Sequence, residues 1–187
     1  STQGVSSAAS DVYKRQVSNS AGIIEKPEVN LDMVRDGICV YGMYPSEEVD
    51  KTKLKLTPAM EIKSYVSFVK TLKAGVEIGY GGTYTTTNET VVATIPVGYA
   101  DGYSRALSNR GRVLIKGKSF PIIGRICMDQ FMVEMPKEMP LGTKVVIISD
   151  NPDDLNNIKA AADYVDTIHY EVACLLNDRL PRVYYED

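Results

Sequence analysis

Tryptophan is absent from this 187-residue chain, histidine occurs once and phenylalanine three times. A single histidine, His169, removes most mechanisms built on imidazole bases, and as a lone residue it reads as a surface or hydrogen-bonded group. No zinc-ligand spacing, no Ser/His/Asp set and no Walker loop occurs, so no metal is expected. The three cysteines, Cys39, Cys127 and Cys174, form no C-x-x-C pair, which argues against a disulfide framework and for a reducing compartment. Cys39 and Cys174 read as small buried apolar residues. No apolar run approaches the ~20 residues that span a bilayer, and no charged-then-apolar leader is visible. A soluble, cytoplasmic protein without a membrane partner is expected. Lys and Arg total 21 against 24 Asp and Glu, a formal charge of -3, which offers nucleic acid no basic face.

What remains is a chain with 44% hydrophobic residues and twelve tyrosines, enough for one good core. Residues 1–16 are small and polar without periodicity, and read as a tail, an expression scar or a sequencing artefact. Leu31, Met33 and Val34 suggest a helical turn feeding an apolar strand, Ile38-Cys39-Val40-Tyr41, bracketed by Gly37 and Gly42. A continuous apolar strand predicts burial on both faces, as in a parallel sheet or barrel. After Pro58 the pattern alternates: Met60, Ile62, Val66 and Phe68 mark a half-buried strand. Further strands are expected over residues 91–97, 112–115, 120–126, 131–134 and 144–148, separated by Asn, Gly and Pro turns. Helices are expected over residues 153–162, with Leu155 on the apolar face, and 170–176. The layout is the end of an α/β unit followed by a mostly β domain.

Five motifs then add a resemblance. Val34-Arg35-Asp36-Gly37-Ile38-Cys39-Val40-Tyr41-Gly42 is followed by Ile78-Gly79-Tyr80-Gly81-Gly82-Thr83-Tyr84. Next come Ile95-Pro96-Val97-Gly98-Tyr99-Ala100-Asp101-Gly102 and Gly124-Arg125-Ile126-Cys127-Met128-Asp129-Gln130. The last is Thr167-Ile168-His169-Tyr170-Glu171, trailed by Arg179-Leu180-Pro181-Arg182-Val183-Tyr184. In this order they resemble the pyridoxal-phosphate-dependent alanine racemases, and they cover nearly everything from Val17 onward.

The resemblance implies a mainly β fold: the β-barrel-like C-terminal domain of that family over residues 51–187, preceded over residues 17–50 by the last strand and helix portion of an incomplete TIM barrel. The lysine to which the family attaches pyridoxal 5'-phosphate lies near the barrel's start, and no Lys of this chain has its sequence context. The family's histidine three residues before its Asn-Ser-Ala is replaced by Gln16, ahead of Asn19-Ser20-Ala21. The match thus breaks where the odd leader ends.

By resemblance, Tyr80 is the acid–base residue on the L-alanine face, acting in the partner's active site of a homodimer. Arg35 faces the pyridine nitrogen, where a guanidinium donates a hydrogen bond and gives up no proton. Ser20, the amides of Gly37 and Ile38, and the Tyr170 hydroxyl hold the phosphate. Tyr99 and the amide of Met128 receive the substrate carboxylate in the neighbouring subunit's site, with Cys127 and Asp129 shaping that loop. Tyr84, Tyr103 and Tyr184 read as structural. The implied activity is interconversion of L- and D-alanine, supplying D-alanine for peptidoglycan, with the fragment alone inactive. Two alternatives stay open: a serine or broad-spectrum amino-acid racemase, and a non-catalytic β-domain module.

Overall fold

Two short strands pair side by side at the beginning of the described chain, residues 15–185 of a computed structural model. β1 (Gln16–Val17) and β2 (Met33–Val34) run parallel, Gln16 opposite Met33 and Val17 opposite Val34. Between them in sequence lies α1 (Ser20–Glu25), started by Asn19, whose Oδ1 accepts the Gly22 N–H at 3.1 Å. Such a side-chain acceptor satisfies one of the donors that a helix start leaves open. Strand, helix, parallel strand is the order of a (β/α) barrel repeat.

Three expectations change in this region. Gln16, counted with the leader, stands in β1, and the Arg15 N–H is bonded to Asp32 at 2.9 Å; residues 1–14 lie outside the described part. Residues 31–34 end in a strand instead of a helical turn, because Met33 and Val34 find a partner in β1. Ile38–Tyr41 is a 3-10 turn and not a strand. Gly42, at φ +72°, closes it by donating to the Cys39 carbonyl at 2.9 Å. A threefold winding cannot bury four successive side chains, so Ile38 and Cys39 go inward while Val40 and Tyr41 are 69% and 50% exposed.

The chain divides into two compact units after Met60. The second is built on alternation. β3 (Ile62–Tyr65), β4 (Phe68–Leu72), β5 (Thr90–Ile95), β6 (Arg112–Ile115), β7 (Lys118–Ile123), β8 (Phe131–Met135) and β9 (Lys144–Ile148) form one antiparallel sheet. Its order is β3-β9-β6-β7-β8-β5-β4. β3 and β4 stand at opposite ends of that order, yet only Val66 and Ser67 separate them in sequence. Val66 bonds the turn before β9, donating to Thr143 O at 2.9 Å, and Ser67 bonds β5, donating to Thr94 O at 3.0 Å. The sheet therefore curls back on itself at this corner, giving the mainly β, barrel-like domain expected from the sequence. The single strand expected from Met60 to Phe68 is two strands and this corner, and Phe68 points outward.

Val66, Ile95, Val113, Ile115, Phe131, Val133 and Val145 are fully buried inside the curl. β6, β8 and β9 fall almost where the turn residues put them. α2 (Ile158–Asp163) and α3 (His169–Leu175) pack against each other. α2 starts later than the acidic run suggests because Asn157, not Asp153, caps it, accepting the Ala160 N–H at 2.8 Å. The upstream polar side chains take local bonds of their own: Asn151 accepts the Asp153 N–H, and Asp154 accepts the Ser149 hydroxyl. Leu155 is exposed as a result, and so is Cys174 on α3, whereas Cys39 is buried as expected. His169 is buried too, its ring beside that of Tyr170. Among the described residues, no helix is long and apolar enough to cross a membrane and no group of His, Cys, Asp and Glu could hold a metal ion.

Candidate active site

In the first unit, Ser20 and Gly37 meet. The buried Ser20 hydroxyl accepts the Gly37 N–H at 3.1 Å and donates to Asp36 Oδ1 at 2.9 Å. Asp36 Oδ1 also accepts the Gly37 N–H, at 2.8 Å. Two donors thus converge on one carboxylate oxygen, which stands here where an anion's oxygen would. A Cβ on Gly37 would face Ser20 Oγ at 3.7 Å, so this position borders the cradle. Ile38 follows directly, its side chain buried. Arg35 is fixed through its backbone, donating to Ser18 O at 2.9 Å, and its side chain is exposed. Burial of Cys39 raises its thiol above the ordinary range, against a lowering bond with Ser20.

In the second unit, glycine shapes both candidate loops. Tyr80 opens a tight turn, Tyr80–Gly82, and is 74% exposed. Gly79, Gly81 and Gly82 all have positive φ. A Cβ on Gly81 would stand 2.7 Å from the Arg125 guanidinium and one on Gly82 2.4 Å from the Glu77 carboxylate. The turn closes where Ile78 N–H donates to Tyr84 O at 2.9 Å. Tyr84, packed beneath, donates its hydroxyl to Glu134 at 2.8 Å; burial first, then that carboxylate, raises its phenol above the usual value.

Tyr99 and Met128 are brought together by close backbone approach. The Tyr99 N–H donates to Cys127 O at 3.1 Å and the Ala100 N–H to Met128 O at 3.0 Å. A Cβ on Gly98 would collide with Met128 O at 2.2 Å and Cys127 O at 2.3 Å, so only glycine permits the contact. Both side chains stay open to solvent, Tyr99 at 43% and Met128 at 54%. The segment 124–128 lies against both loops: Gly124 and Arg125 against Ile78, Gly79 and Gly81, and Cys127 and Met128 against Gly98. Burial raises the Cys127 thiol, with Arg105 pulling the other way.

Tyr170, half-buried, stands in the first turn of α3, where Thr167 bonds Glu171. The structural reading of Tyr103 holds: it is buried with its ring 5.4 Å from that of Phe131, and burial pushes its phenol far above the usual value. Tyr184 packs little and is exposed.

The bonds by which two residues support these loops carry no signal in a local pattern. Arg179 pairs with Asp129 at 2.7 Å and with Asp101 at 3.6 Å, and Asp101 Oδ2 in turn accepts the Gly98 N–H at 2.8 Å. Asn109 bridges the Tyr80 turn and segment 124–128, donating to Thr83 Oγ1 at 3.1 Å and accepting the Gly124 N–H at 2.6 Å. The partners are far apart in sequence, beyond the reach of any periodicity.

Comparison with known proteins adds what geometry alone does not. Residues 59–184 match the family profile described as alanine racemase, C-terminal domain. The alanine racemase of Lactobacillus gasseri is 59% identical over 175 residues, covering 91% of this chain and 46% of that protein. That of Lactobacillus acidophilus is 55% identical over 174 residues, with coverage of 91% and 46%. Among solved structures, alanine racemase of Clostridium difficile 630 in complex with cycloserine superposes with a TM-score of 0.84 at 44% identity, covering 90% of this chain and 44% of that one. The Bacillus anthracis alanine racemase with bound L-Ala-P gives 0.89 at 37% identity, covering 96% and 47%. The chain spans about half the length of the curated relatives it matches.

Proposed function

Because the chain belongs to the alanine racemase family, we propose that it supplies one face of a pyridoxal-phosphate-dependent site that interconverts L- and D-alanine. Residues 17–50 then belong to the cofactor-binding barrel and residues 51–187 to the β domain. The observation that carries this is the joint footing of two loops on segment 124–128: the exposed phenol of Tyr80 on one side, the Tyr99–Met128 pair on the other.

The cofactor, when bound, supplies the electron sink that makes a Cα proton removable. The phosphate end fits the first unit, because Ser20 and the Gly37 amide already donate to, or sit against, an anionic oxygen. Ile38 N–H and the Tyr170 hydroxyl complete the proposed set, and the Asp36 carboxylate has to turn out of the cradle. Arg35 serves the ring nitrogen as a hydrogen-bond donor that keeps its own proton at working pH. Tyr99 and the Met128 amide hold the substrate carboxylate, leaving Cα before Tyr80. The Tyr80 oxygen then takes the proton from L-alanine or returns it on that face, and a lysine outside this chain serves the other face. Tyr80 acts in the site of the partner subunit of a homodimer.

Purified as it stands, the 187-residue chain should form no D-alanine from L-alanine with added pyridoxal 5'-phosphate. Joined to the N-terminal half of the Lactobacillus gasseri relative, it should racemise. Turnover by the chain alone would show that the lysine face is not missing; an inactive but folded joined protein would count against the proposed site.

A further inference from the structure

We infer that Asn109 is a positioning residue for Tyr80, an inference that rests on the acid–base role proposed above for that tyrosine. A proton-transfer group must be held within hydrogen-bond reach of the atom it serves. Tyr80 is 74% exposed, so packing does little to hold its ring. Its backbone is intrinsically loose as well: Gly79, Gly81 and Gly82 stand at φ +72°, +73° and +52°, and glycine has more conformational freedom to lose than any other residue. A tyrosine carried on such a turn keeps a fixed place when the turn is tied from outside.

Backbone bonds tie the base of the turn, from Ile78 to Tyr84 and between Glu77 and Thr85. The Asn109 side chain reaches its far end. Nδ2 donates to Thr83 Oγ1 at 3.1 Å and, more weakly, to Thr83 O at 3.5 Å, and Oδ1 accepts the Gly124 N–H at 2.6 Å. Gly124 is also where the turn rests, since a Cβ there would lie 2.6 Å from Ile78 O. One amide therefore pins the turn to its support. The two ends are not interchangeable, because the oxygen can only accept and the nitrogen only donate. Asn109 itself stands at φ +59°, a region that asparagine and glycine tolerate well. Glycine at this position thus removes every one of these side-chain bonds without straining the backbone, whereas aspartate keeps the bond to Gly124 and can accept from the Thr83 hydroxyl, which donates as well as accepts.

The test uses ¹⁵N relaxation of the 187-residue chain, which reads the turn without any turnover. Order parameters at Tyr80, Gly81 and Gly82 should be near the rigid value of about 0.85 in the parent chain and fall below about 0.6 in Asn109→Gly. The double variant Asn109→Asp/Thr83→Val, which leaves neither a donor at 109 nor a hydroxyl at 83, should loosen the turn as well, while Thr83→Ser, which keeps the hydroxyl, should not. A merely structural Asn109 would lower the unfolding midpoint and leave these order parameters alone. In the joined protein, Asn109→Gly should cut kcat at least about fivefold, the fold-change that one ordinary hydrogen bond supplies, with KM for alanine little changed. Unchanged order parameters in both Asn109→Gly and the double variant would overturn the inference, and the double variant alone decides it if Asn109→Gly does not fold. If the turn loosens while Tyr80→Phe racemises alanine normally, the tie stands and the acid–base role of Tyr80 fails.

Discussion

The two units of this chain hold themselves together in different ways. From Glu61 onward, seven strands bury a continuous set of Val, Ile and Phe side chains, and the loops above them are set by glycines in close backbone contact. Before Met60, the strands are two residues long, and much of the order comes from polar ties such as Ser20 to Asp36, Glu25 to Lys53 and Tyr44 to Leu54. Apolar burial is worth roughly 25 cal/mol per Å², whereas exposed ion pairs contribute about 0–1 kcal/mol each. The proposed proton-transfer and carboxylate groups therefore stand on a rigid frame, and the proposed phosphate cradle on a lighter one.

Removing core mass should break the comparison hardest. Phe131 is fully buried in β8, with the Tyr103 ring against it. Phe131→Ala should cost about 3–5 kcal/mol in the second unit, measured as a lower denaturant midpoint at unchanged slope. An effect below about 1 kcal/mol would mean that the core is not as tight as its burial implies. Next comes Gly98→Ala. Its φ is extended, which any residue adopts, so the damage is purely the collision with the Cys127 and Met128 carbonyls. Loss of about 1–3 kcal/mol is expected, together with a raised KM for alanine in the joined protein. A KM unchanged by this substitution would separate the loop contact from substrate handling.

Much of this frame was legible in the sequence. β6, β8 and β9 were visible as short apolar runs between turn residues, because Asn, Gly and Pro bound a strand whether or not its apolar residues alternate. Ile38 to Tyr41 was misread because an apolar run has no period of its own, and Gly42 decided for a 3-10 turn that no alternation announces. The roles proposed for Tyr80, Tyr99 and Met128 rest on family motifs alone, since an exposed tyrosine has the same composition whether or not it moves a proton. Asn109 and Arg179 were missed because their partners, Thr83, Gly124, Asp101 and Asp129, are brought near by topology alone.

Smaller effects sharpen the contrast. Asn157→Ala removes the acceptor that starts α2 and should cost about 0.5–2 kcal/mol, seen as earlier thermal unfolding of the second unit. In the first unit, the bond from Lys53 holds the Glu25 carboxyl below its ordinary value. A carboxyl lowered in the folded state adds stability above its unfolded pKa, near ~4.3, and loses it as pH falls through the lowered value. Glu25→Gln should therefore flatten acid unfolding of the first unit below that pH, slightly, because the pair is exposed. An equal effect on the second unit would erase the distinction between the two.

The claim that this chain carries one of two proton faces is tested most directly by isotope exchange at Cα in D₂O. In the joined protein, Tyr80→Phe keeps the ring and removes the hydroxyl. The account predicts that Cα–H wash-out from L-alanine falls by at least about 10²-fold, the scale of a lost acid–base group, while wash-out from D-alanine survives far better. Equal loss from both enantiomers, or near-normal exchange from L-alanine, would contradict it.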